Sequence, residues 1–152
     1  MRAKFGDIIE IETSKGYVYS QYTHEAELHG SLIRVFDLFH QKRPSDLIGL
    51  TREPIRFSTF FPLNAALRQR VVERIGNAHI STSIRKFPLF RYGIPHPLTR
   101  KVEVWYFWNG KRYCKIGVLT ESVKKLSIVG IFDFEFLKNA LEEGWRPEID
   151  QR

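Results

Sequence analysis

Apolar and polar positions alternate with a period of two at the start of the chain. DIIEIET (residues 7–13) and YVYSQYTHE (17–25) flank a Ser-Lys-Gly turn, so residues 7–24 predict a β-hairpin. SLIRVFDLF (31–39) is apolar on both faces of a strand, the pattern of a central strand covered on each side. Asp37 interrupts that run, and a carboxylate there needs a hydrogen-bond donor or a cation. KRPSDLIGLTREP reads as a loop with one helical turn after Ser45, and IRFSTFF (55–61) as a further strand. From Leu63 the period lengthens. Ala66, Leu67, Val71 and Ile75 recur at three and four, Arg68, Arg70 and Arg74 fill other positions, and Gly76 stands as a stop. The spacing predicts an amphipathic helix of about three turns.

Pro88, Pro95, Pro97 and Gly93 make residues 77–100 a long irregular crossing with short extended pieces. VEVWYFWNGKRYCKI then reads as a second hairpin. Asn109-Gly110 suits a two-residue turn with positive φ at both positions, which pairs Trp108 with Lys111, Phe107 with Arg112, Tyr106 with Tyr113 and Trp105 with Cys114. One face then carries Trp105, Phe107, Arg112, Cys114 and Ile116 and serves as the core face. The other carries Val102, Val104, Tyr106, Trp108, Lys111, Tyr113 and Lys115. LSIVGIF (126–132) predicts one more strand, and Asp133 caps a helix from Phe134 to Glu143 with Gly144 beyond it; Phe134, Leu137, Ala140 and Leu141 form its inward stripe. The order of elements predicts a single α+β domain over residues 1–152: a strongly curved antiparallel sheet, open or partly closed, with about two helices packed to one side.

Composition narrows the function more than the fold. The chain of 152 residues is 43% hydrophobic and carries a net charge of +7. Residues 85–115 hold 8 Lys/Arg against 1 Asp/Glu, while the remainder of the chain is balanced. A segment of one sign steers a locally acidic partner or a phosphate backbone. No apolar run approaches the roughly 20 residues that span a bilayer, and the start, MRAKFGDIIEIE, lacks the apolar stretch of a signal peptide, so a cytoplasmic protein without membrane contact is expected. The one cysteine, Cys114, precludes an internal disulfide and is expected to be a small buried hydrophobe.

Motifs of catalysis are missing. There is no phosphate-binding glycine loop and no nucleophile elbow. HEAELH (24–29) separates its histidines by five positions rather than four, about 140° apart on a helix, so they cannot share a metal from one face. Neither an enzyme nor a cofactor is expected: His24 and His29 read as surface or loop residues, and His40, His79 and His96 are scattered without local ligand companions.

GDIIEIETSKGYVYSQYT followed by SLIRVFD resembles the opening hairpin and third strand of the immunity protein 26 family, small bacterial proteins proposed to neutralise polymorphic toxins. RVVERIGNAHI, KFPLFRYG, VEVWYFWNGKRY and the closing capped helix continue the resemblance over most of the chain. Its matching positions, Gly6, Asp7, Ile9, Tyr19, Phe36, Asp37 and Gly76, look like fold determinants. The resemblance implies a binding protein that occludes or distorts the active site of a cognate toxin domain; the basic excess of this chain in turn calls for a locally acidic surface on that domain. Tyr106, Trp108, Lys111, Arg112, Tyr113 and Lys115, with Arg91 and Tyr92 nearby, are the candidate contacts; Gly6, Asp37, Gly76, Asn109 and Gly110 are structural. The alternative is single-stranded nucleic-acid binding, with Tyr106, Trp108 and Tyr113 stacking on bases between lysines.

Overall fold

The computed structural model describes residues 2–152 and bears out the α+β architecture. Five antiparallel strands form the first sheet: β1 (Asp7–Thr13), β2 (Gly16–Ala26), β3 (Gly30–Phe36), β4 (Ile55–Phe60) and β5 (Glu73–Asn77), in the order β4-β3-β2-β1-β5. Three shorter strands form a second: β6 (Phe90–Tyr92), β7 (Tyr106–Trp108) and β8 (Tyr113–Lys115). Residues 126–132, expected as a further strand, form no continuous strand: isolated bridges at Ile128 and Ile131 are, among the described residues, all the pairing this segment makes, and they join the two sheets. The Phe60 N–H donates to Gly130 O (3.2 Å) and the Phe132 N–H to Phe60 O (2.9 Å), while the Arg91 N–H donates to Ser127 O (2.9 Å) and the Val129 N–H to Arg91 O (3.1 Å). One hydrogen-bonded layer therefore runs from β5 to β8, with parallel bridges only where this strap meets Phe60 and Arg91. The layer is open: β5 and β8 end it and do not pair with each other.

The helices sort by face. α2 (Leu63–Arg68) and α4 (Phe134–Glu142) cover the face that carries Ile9, Ile11, Val18, Ile33, Val35 and Phe57, and their Leu63, Ala66, Leu137, Ala140 and Leu141 complete the main core. The single turn α1 (Leu47–Leu50), capped by Asp46 through the Ile48 N–H, covers Ile8, Tyr19 and Phe36 on the opposite face. Both faces of β3 are buried from Ser31 to Phe36, as the doubly apolar strand pattern predicts. A further turn, α3 (Glu121–Lys124), starts at Thr120, whose side chain accepts from the Val123 N–H.

The predicted three-turn helix from Leu63 to Ile75 is corrected. It stops at Arg68, and residues 73–77 form β5 along the edge of β1. Two bonds close the helix: the Arg70 N–H donates to Leu67 O (3.1 Å) and the Val71 N–H to Ala66 O (3.2 Å), with Arg70 at φ 59°. This is the Schellman arrangement, in which the left-handed position normally holds glycine. Gly76 lies inside β5, where Leu47 packs directly over its Cα. Pairing β5 with the open edge of β1 satisfies a row of backbone groups that a longer helix would leave exposed on β1.

Asp37 finds its cation. The two nitrogens of the Arg146 guanidinium donate to its carboxylate oxygens at 2.7 and 3.0 Å, tying the end of β3 to the segment after α4. Gly6 takes φ 93° at the entry to β1, its N–H donating to Tyr22 O and its carbonyl accepting from the Ala78 N–H.

Candidate partner-binding surface

The β7–β8 hairpin keeps the predicted faces and changes the predicted register. Trp108 pairs with Tyr113, Phe107 with Cys114 and Tyr106 with Lys115, so the connection is the four-residue stretch 109–112 rather than two residues. Asn109 is the cause. Its side-chain oxygen accepts from the N–H groups of Lys111 and Arg112, both at 2.9 Å, so it closes the loop with its side chain and its φ stays negative. Gly110 alone is left-handed (φ 94°), and the Phe87 ring lies where a side chain would stand. A slip of two residues leaves every side chain on its original face, because side chains alternate with a period of two.

Neither face is open along its length. Trp105 and Phe107 pack with Ile116, Ile128, Leu119 and Val123. The opposite face is covered at its turn end: Trp108, a candidate contact, is 4% exposed and packs with Leu32, Phe60 and Phe90. The rings of His29, Phe87 and Phe90 surround it at 4.9–5.7 Å. Burial of that indole withdraws the largest ring from the stacking platform expected for nucleic acid. Tyr92 and Tyr106 are half-buried, and Tyr92 meets Tyr113 at 5.3 Å between ring centres.

Arg91 is corrected as well. It is 2% exposed, its guanidinium lies 4.2 Å from the centre of the Trp105 ring and donates to Pro147 O at 2.8 Å, and burial lowers its pKa. It clamps the C-terminal turn and is not presented to a partner. Cys114 is exposed rather than buried, because β8 lies at the end of the layer with no strand beyond it among the described residues.

What the fold leaves accessible is the outer edge. Tyr113, Cys114 and Lys115 are all exposed, Tyr113 by 54%, and the adjoining loop adds Lys111 and Arg112. None of these three cations has a carboxylate within salt-bridge distance among the described residues. Of the eight candidate contacts, Lys111, Arg112, Tyr113 and Lys115 thus form a basic, aromatic strand edge; Tyr92 and Tyr106 flank it; Trp108 and Arg91 are internal.

One buried cation escapes the sequence reading. Arg34, in the middle of β3, is 5% exposed and has no carboxylate within salt-bridge distance among the described residues. Its guanidinium donates to Thr23 Oγ1 (3.1 Å), Ser58 Oγ (3.3 Å), Ile84 O (3.1 Å) and Lys86 O (2.8 Å), and burial pulls its pKa down to about 10. Arg34 fastens the 78–87 crossing to a polar strip of the sheet. The signal was a lone charge inside LIRVF. The histidines do not converge: His24 bonds Thr23 and the Arg85 carbonyl, His40 bonds Glu53 at 2.7 Å, and no three His, Cys, Asp or Glu side chains among the described residues are placed to share a metal ion. Nor is any helix long and apolar enough to cross a membrane.

Compared with known protein families, curated proteins and solved structures, the chain matches none at a significant level.

Proposed function

We propose that this chain is a bacterial immunity protein that binds a cognate toxin domain and neutralises it by covering its active site. The observation that carries this reading is the edge of β8, where Tyr113 and three cations border a strand side that, among the described residues, has neither a neighbouring strand nor carboxylate partners for those cations. An edge of this kind accepts an extended segment through main-chain hydrogen bonds, and its side chains choose the partner. Tyrosine and arginine are the residue types that dominate interface energetics, and the lysines accelerate encounter with an acidic surface. The resemblance to immunity proteins in GDIIEIETSKGYVYSQYT and the following strand supports the same reading from the sequence.

The test is co-expression with a toxin domain encoded beside this chain. The unaltered protein restores growth, while Tyr113→Ala combined with Lys115→Glu loses protection at an unchanged melting temperature. Lack of protection by the unaltered protein overturns the assignment.

A further inference from the structure

Four arginines line one cavity of about 410 Å³: Arg68, Arg70 and Arg74 from the stretch between α2 and β5, and Arg2 from the start of the chain, with Leu67 and Val72 as its apolar wall and Glu73 as the acid in its lining. The volume lies in the range of small-ligand pockets. Its carboxylate is already engaged, since Glu73 accepts from Arg43 at 3.0 Å. Arg74 is anchored through Nε to the fully buried Asp7 at 2.9 Å. Arg2, Arg68 and Arg70 have no carboxylate within salt-bridge distance among the described residues. Three uncompensated guanidinium groups around one space repel each other unless an anion joins them.

The backbone adds an independent observation. Arg70 occupies the left-handed position of the α2 terminus at φ 59°, a conformation that disfavours any residue with a Cβ and that glycine would accept without strain. Strain of this kind collects at functional positions. Arg70 lines the cavity from that position, where a glycine would fold the turn equally well and add no charge to the wall. The end of α2 also borders the cavity, and its dipole opposes an anion with at most about half a charge, less than the three unpaired cations supply.

We propose that this cavity binds a small, multiply charged phosphate compound, a polyphosphate or a phosphate ester, through Arg2, Arg68, Arg70 and the terminal nitrogens of Arg74. The planar forks of guanidinium match phosphate oxygens two at a time, and four of them suit a ligand with several phosphate groups better than a single carboxylate. The site is separate from the β8 edge in residues and stands without the immunity assignment.

Isothermal titration of the full chain with inorganic triphosphate at about 0.1 M salt tests it. The expected result is saturable one-to-one binding that falls at least about tenfold in Arg68→Gln/Arg70→Gln and is unchanged in Lys111→Gln/Lys115→Gln. Arg70→Gly is the second variant: it weakens triphosphate binding while its melting temperature holds or rises. Absence of saturation at about 1 mM triphosphate overturns the proposal. So does an equal loss of affinity in the hairpin variant, which would mean diffuse attraction to positive surface, or full affinity in Arg70→Gly.

Discussion

Asp37 and Arg146, 109 positions apart, face each other in a two-pronged ion pair at 2.7 and 3.0 Å. The bond to Asp37 is the first cause of the raised Arg146 pKa. Both groups are partly solvated, with side chains 21% and 41% exposed, so screening reduces the pair's worth. A double-mutant cycle with Asp37→Asn and Arg146→Gln should give a coupling of about 1 kcal/mol in urea unfolding, smaller at high salt. A coupling near zero would show that the tie does not hold the C-terminal segment.

Arg34 should matter more. Arg34→Met leaves the carbonyls of Ile84 and Lys86 without their donor and is expected to cost about 2–4 kcal/mol. Hydrogen exchange should show residues 78–87 losing protection first, ahead of the rest of the sheet. Uniform loss across the chain would contradict the role of Arg34 as the local fastener.

Trp108 and Tyr113 stack at 6.1 Å, yet the first is buried and the second exposed. Trp108→Ala empties a core position and should cost about 3–5 kcal/mol. Tyr113→Ala should change stability by no more than about 0.5 kcal/mol and should weaken partner binding instead. Parallel thermal melts and binding measurements on the two variants separate these outcomes.

Glu10 sets an acid limb. Burial pushes its carboxyl up, but bonds from Arg43 at 2.9 and 3.0 Å and from the Tyr19 hydroxyl at 2.7 Å outweigh this, and its pKa lies below the ordinary 4.5. A carboxyl with a depressed value in the folded state stabilises above its unfolded value and loses that contribution as pH falls through the folded one. The urea midpoint should therefore decline below about pH 4.5, and Glu10→Gln should flatten that decline. An identical acid limb in the variant would assign it to other carboxylates.

The contrast between α2 and α4 explains how far the sequence reaches. Both helices end in the same pair of bonds: Val71 to Ala66 and Arg70 to Leu67 in α2, Trp145 to Ala140 and Gly144 to Leu141 in α4. Gly144, at φ 76°, announces the α4 terminus because glycine favours that conformation, and Asp133 announces its start by accepting from the Phe136 N–H. Arg70 announces nothing, so the apolar period carries the expected helix on to Ile75. Only the unpaired edge of β1, which accepts β5, ends it at Arg68.

Periodicity and local side-chain chemistry also determined the early hairpin, β3, β4, the turn after Ser45 and the two faces of the β7–β8 hairpin. These depend on neighbours a few positions away. Tertiary packing decided the hairpin's register, the burial of Trp108 beneath Phe87 and Phe90, the clamp made by Arg91, and the gathering of Arg2 with Arg68, Arg70 and Arg74. A strand pattern states which side of a sheet a residue occupies. Whether that side meets solvent depends on what the rest of the chain lays over it, and here Phe87 and Phe90 cover Trp108 while Tyr113 on β8 stays exposed.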